Sequence, residues 1–121
     1  MNLEQTDQRT AAGSGISCRS TPEGTVVTLW GEVDAALREA ASEVMAMVAV
    51  HTAGVPIVID ASEVTFIDSS GVAFILQVYV LAQETGTPMR LRDPSDPVVE
   101  VLTMVGIGDR IPVERLDGEA C

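Results

Sequence analysis

The residues best suited to chemistry in this chain fall in one stretch, Asp60-Ala61-Ser62-Glu63-Val64-Thr65-Phe66-Ile67-Asp68-Ser69-Ser70-Gly71. It closes on two adjacent hydroxyls between a carboxylate and a glycine. Asp68 and Ser69 are both good N-cap residues, because a short side-chain oxygen can accept the orphan N–H bonds of a first helical turn. Gly71 lets something approach the backbone closely. A hydroxyl is thereby held at the positive end of a helix, where a phosphate is stabilised. An ordinary helix cap needs the same residue types, so these four alone do not separate the two readings.

A serine nucleophile would need a neighbouring base. The single histidine, His51, precedes the strand that the serines follow. A strand of five residues is roughly 17 Å long, which puts His51 at the wrong end of the sheet. The G-x-S-x-G elbow is absent, as are a Walker A motif and G-x-G-x-x-G. Asp34 and Asp68 are ligand types for hard cations, but two acids at helix caps account for themselves without one. No catalytic residue, metal or cofactor is assigned, and no enzyme is expected. The serine is acted upon rather than acting.

The elements that must position this stretch can be read in order. Residues 1–15 are polar and are expected to form a disordered tail. Ile16 to Ser20 reads as an edge strand, Thr21-Pro22-Glu23-Gly24 as a turn, and Thr25 to Trp30 as a central strand with apolar residues on both faces. Asp34 is placed to cap a helix reaching about Thr52, with Arg38 four residues on for an ion pair and Gly54 as C′ residue. Val55 to Asp60 is a strand buried on both faces, followed by a loop from Asp60 to Ser70. A second helix spans about Ser70 to Glu84, with Val72, Ile75, Leu76, Tyr79 and Val80 at helical spacing. Pro88 to Arg92 is a strand with its arginines outward. Ser95 precedes a third helix with Pro97 in its first turn, and Ile111 to Val113 is a last short strand. The domain is expected over 16–113, with 114–121 a flexible C-terminal tail.

Strand–helix–strand order makes parallel pairs with right-handed crossovers. The loops leaving strands two, three and four then share one edge of the sheet, where open α/β sheets place their sites. The converged set is Glu32, Asp34, Asp68, Ser69, Ser70 and Ser95: hydroxyls among carboxylates, with no lysine. The first helix carries more apolar surface than the one stripe that covers a sheet. Met47 or Val44 is therefore expected at an interface with a partner or a second copy.

Composition narrows the partners. The 121 residues suffice for one domain, with a core that must be aliphatic because aromatics are only 3%. Eighteen acidic against seven basic residues, a net charge of −11, argue against nucleic acid and against anionic membrane surfaces. No apolar run approaches the roughly 20 residues of a membrane span, and no signal peptide is visible. Cys18 and Cys121 form no disulfide framework, which suits a reducing cytoplasm.

Three motifs carry a family likeness. Gly31-Glu32-Val33-Asp34 is similar to G-E-I/L-D. The stretch from Asp60 to Val72 is similar to D-L-S-x-V-x-F/Y-I/M-D-S-S/T-G-L, with Ala61 and Val72 where leucine is favoured. Leu102-Thr103-Met104-Val105-Gly106-Ile107 is similar to L-x-x-x-G-L/I. On these the chain resembles the STAS-domain anti-sigma factor antagonists of bacteria. The resemblance implies a STAS-like single α/β domain: a mixed four- to five-stranded sheet with parallel strand–helix–strand units and helices packed on it. It implies a partner switch in transcription regulation. The unphosphorylated antagonist binds an anti-sigma factor, an ATP-binding serine kinase, and frees a sigma factor. Phosphorylation of the first serine of the D-S-S/T-G motif, here Ser69, dissociates the complex, and a phosphatase reverses it. Glu32, Asp34, Asp68, Ser70, Gly71 and Ser95 would border Ser69 in the partner-binding surface. The family also holds members that act as docking or ligand-binding subunits of transporters or lipid-transport complexes, without phosphorylation.

Overall fold

The computed structural model describes residues 13–51 and 55–116; the expected tail segments 1–12 and 117–121, Cys121 and the Gly54 cap lie outside them. A hairpin opens the chain, β1 (Gly15–Thr21) and β2 (Gly24–Val33). A single 3-10 turn, Ala35–Leu37, leads into α1 (Arg38–His51). Then follow β3 (Ile57–Ile67), α2 (Ser69–Thr85), β4 (Met89–Arg92), α3 (Asp96–Met104) and β5 (Val113–Glu114). The five strands stand in chain order in one sheet. β1 pairs antiparallel with β2, and every later pair is parallel.

Sequential parallel strands joined by right-handed crossovers must carry all their helices on one face. The core shows this directly. Val44 and Val48 of α1, Phe74, Ile75 and Val78 of α2, and Val98 and Leu102 of α3 form one buried cluster with Val27, Leu29, Ile57, Ile59 and Leu91 of the sheet. At roughly 1.5–3 kcal/mol for each fully buried Val, Leu or Ile, this aliphatic layer is the main stabilising term. Among the described residues the other face has no helix. Val26 and Val58 are buried there all the same. Beside them, Arg90 and Arg92 of β4 bridge Glu23 in the hairpin turn and Glu114 of β5.

The structure corrects several expectations. β3 does not stop at Asp60 but runs to Ile67. Its second half pairs with the end of β2, Gly31 opposite Val64 after one register shift and Val33 opposite Ile67 after a second. β1 begins at Gly15 and β5 includes Glu114, so both residues assigned to tails belong to the sheet. The buried side of α2 is Val72, Phe74, Ile75, Val78 and Ala82, while Val80 is exposed. Arg38 makes no ion pair with Asp34 among the described residues. Asp34 accepts the Ala36 N–H instead, at 3.0 Å.

Hydrogen bonding from Arg90, opposed by burial and joined by the charges of both arginines, holds the Glu114 carboxyl below its ordinary value. A carboxyl with a depressed folded-state pKa stabilises the protein above its unfolded value, near 4.5, and loses that contribution as pH falls through the folded value. Glu114→Gln is therefore expected to leave a shallower loss of melting temperature below about pH 4.5 than wild type shows. Thermal melts across the acid range check this; parallel acid limbs for the two proteins would contradict it.

Candidate functional site

Asp68 ends β3 and caps α2. Its backbone is extended, and its Oδ1 accepts the N–H groups of Ser70 and Gly71 at 2.9 and 3.3 Å. The Asp68 carbonyl accepts the Val72 N–H at 3.0 Å. The cap is thus Asp68 alone. Ser69 is the first helical residue, and its side chain is exposed. These bonds also change the expected electrostatics: the N–H groups that would receive a phosphate already hold a carboxylate.

Gly71 is buried, and the close approach it permits is internal. A Cβ there would stand 2.6 Å from Ile67 Cγ1, 2.7 Å from the Val33 carbonyl oxygen and 2.9 Å from Val33 Cγ1. Gly71 therefore shapes the site by letting α2 start against the end of β2, and it lines the cavity beside Ser70. The Asp68 N–H donates to the same Val33 carbonyl at 3.3 Å. Asp34, next after Val33, is so brought beside the start of α2. Asp34 and Ser70 line one cavity of about 590 Å³ between α1 and α2.

Two expected members of the site stand apart. Glu32 is exposed, its N–H held by Ser14 Oγ at 2.8 Å. It lines a different cavity, of about 300 Å³, with Trp30, Glu63 and Thr65. Ser95 caps α3 without a side-chain bond, and its Oγ is buried with no partner among the described residues. Its N–H donates to the Ala61 carbonyl. From Ala61, β3 continues to Ile67, roughly 20 Å at about 3.3 Å per residue. The loops after β2 and β3 meet, whereas the loop after β4 leaves the sheet far short of them. His51 ends α1, at the start of β3 and away from Ser69. Among the described residues no three His, Cys, Asp or Glu side chains gather into a metal-type cluster, and no helix is long and apolar enough to cross a membrane.

Known proteins share this fold. The family model described as Mlab, STAS domain, matches residues 16–115. The chain belongs to the STAS domain family. Among solved structures, this STAS domain is similar to an anti-sigma-factor antagonist (STAS) domain protein from Planctomyces limnophilus, at a TM-score of 0.75 and 21% identity over 88% of this chain and 94% of that one. It is similar to the anti-sigma factor antagonist SpoIIAA in its unphosphorylated form, at a TM-score of 0.66 and 20% identity, covering 85% and 90%. The phosphorylated form of the Bacillus cell fate determinant SpoIIAA matches at 0.63 and 22%, covering 85% and 94%. These likenesses place the fold. No curated protein sequence matches the chain.

The packing of Gly71 and the cap at Asp68 predict different losses. Gly71→Ala must move backbone as well as side chains, and is expected to cost on the order of 1–3 kcal/mol. Asp68→Ala removes a cap, at about 1 kcal/mol. Denaturant unfolding of both variants checks the order; a Gly71→Ala variant as stable as wild type would show that β2 and α2 can separate freely.

Proposed function

We propose that this STAS domain is an anti-sigma factor antagonist switched by phosphorylation of Ser69. Without phosphate it binds an anti-sigma factor, an ATP-binding serine kinase, and releases the sigma factor. With phosphate on Ser69 the complex separates, and a phosphatase restores the hydroxyl. Its partners are proteins, in the cytoplasm, and neither nucleic acid nor membrane. The observation that carries the reading is Ser69 itself: an exposed hydroxyl on the first helical residue, beside a cap already complete without it, with the only histidine of the chain placed elsewhere. The surface round it is Asp34, Asp68 and Ser70, shaped from beneath by Gly71. SpoIIAA is similar to this chain in both its phosphorylated and unphosphorylated forms, which supports a switch that leaves the fold in place.

A partner surface shaped to a neutral hydroxyl must desolvate a new charge of about −1.5 to −2. Losing one such contact region costs about 2–5 kcal/mol, roughly 30-fold or more in affinity. Ser69→Ala is expected to accept no phosphate and to bind constitutively, and Ser69→Glu to bind at least about 30-fold more weakly. Each anti-sigma kinase of the source genome, incubated with ATP and the purified protein, tests this. Transfer that survives in Ser69→Ala and disappears in Ser70→Ala would overturn the choice of serine.

A second reading has its own support, because the matching family model is described as Mlab. In it the domain docks in a lipid-transport complex and is not phosphorylated. Assembly with transport components that Ser69→Glu leaves untouched, together with no phosphate uptake from any kinase, would favour it.

A further inference from the structure

Trp30 alternates along β2 with Leu29, which the helices cover, so its ring belongs to the opposite face of the sheet. Gly15 stands across from it on β1, and a side chain there would strike the indole. The ring therefore lies over the backbone where β1 begins. Just upstream, the chain crosses the end of β2. Gly31 is held at a left-handed φ of +74°, and a side chain on it would strike the Gly13 carbonyl and Ser14. Ser14 Oγ accepts the Glu32 N–H at 2.8 Å. Gly13 and Ser14 are thus part of the wall of the cavity of about 300 Å³, with Trp30, Glu32, Glu63 and Thr65. A segment leading into Gly13 has to arrive at the mouth of this cavity.

The cavity is anionic. Glu32 and Glu63 are exposed. They make no ion pair among the described residues, whose salt bridges all join Arg90 or Arg92 to Glu23 or Glu114. No arginine lines it. Arg19 is four residues on from Gly15, opposite Val26, about 13 Å down the sheet. Asp60, further back on β3, faces Arg92 in register and is not counted with the two acids. Two carboxylates beside an indole make a seat for a guanidinium: both acids attract its charge, and its plane stacks on the ring.

Residues 1–12 hold one basic side chain, Arg9, with Glu4 and Asp7 upstream of it. Arg9 precedes Gly13 by four residues, which span at most about 14 Å. Gly13 shares its cavity with Trp30, Glu32 and Glu63, so the seat is within reach. We propose that the segment leading into Gly13 is a strap that docks on its own domain, with the Arg9 guanidinium on the Trp30 indole between Glu32 and Glu63. The strap presses Gly13 and Ser14 onto Gly31 and so braces the end of β2, two residues before the Val33 carbonyl. It does not rest on the antagonist reading.

Trp30 is the only tryptophan of the chain, so its fluorescence reports on this surface alone. Full-length wild type, Arg9→Glu, Glu63→Arg and the double variant are compared by acrylamide quenching, with melting curves to confirm the fold. Each single variant is expected to raise quenching of Trp30 by about twofold, the change in docked population that one exposed cation–π contact supports. The double variant, with the charges exchanged, is expected to bring quenching back toward wild type. Equal quenching in wild type and Arg9→Glu overturns the strap. A double variant as quenchable as the single ones overturns the seat at Glu63. Wild-type protection that is lost on dilution, with a dimer seen by sedimentation, overturns docking within one chain and makes Arg9 the gift of a second copy.

Discussion

One carbonyl, that of Val33, fixes the geometry at the end of the sheet. It accepts the Asp68 N–H and lies where a side chain on Gly71 would be. β2 and β3 must end level for both contacts to form, and they do so because their pairing persists to Val33 opposite Ile67. Two register shifts absorb the mismatch in twist on the way, as bulges do. From this contact follow the entry angle of α2, the nearness of Asp34 to Ser70 and the outward position of Ser69. A residue larger than glycine at 71 would push the helix off the strand and dissolve that arrangement before any hydroxyl or acid was changed.

The same register shifts explain why β3 was half-legible in the sequence. From Ile57 to Ile59 its residues are all buried, and the apolar run announces a strand. Beyond Asp60 the buried residues are Ala61, Val64 and Ile67, a spacing of three that fits neither the strand period of two nor a helix. A bulge inserts a residue and turns the next side chains over, so the alternation that identifies a strand is erased where the strand bends. Treating Asp60 to Ser70 as a loop then made three loops seem to meet. The order of elements and the parallel pairing were correct. What failed was length: β3 outruns β4, whose last partner on it is Asp60, and so Ser95 is separated from Ser69. Glu32 failed for a related reason, since it alternates with the buried Val33 and faces the cavity at Trp30.

Helix faces were legible in proportion to how many neighbours compete for them. The surplus apolar surface of α1 was correctly noticed, but its position only in part. Val44 belongs to the core and is fully buried, while Met47 is 41% exposed. Most of the surplus, Ala41, Met45, Ala46 and Ala49, lines the cavity between α1 and α2. A helix that packs on a sheet and also flanks a second helix needs two adjoining apolar stripes, and periodicity alone does not say which of them meets the sheet. In α2 the same ambiguity hid Phe74 and Val78 in the core and brought Val80 inward by mistake. The N-cap, which depends on local chemistry, was readable to within one position: of the two candidates Asp68 and Ser69, Asp68 caps.

The completed cap decides how a phosphate on Ser69 would act. A free helix N-terminus stabilises an anion by about 0.3–1 kcal/mol. Here the Ser70 and Gly71 N–H groups are bound to Asp68 and the Val72 N–H to its carbonyl, so little of that gain remains. Against it stands the Asp68 carboxylate. Two charges facing one across about 5 Å of water repel by about 1–2 kcal/mol before salt screening. The phosphate is therefore not drawn down onto the helix to rebuild it. It is pushed outward, away from Asp68 and into solvent, on a residue that takes no part in the core. Its influence would fall on whatever approaches the start of α2, as the switch proposed above requires.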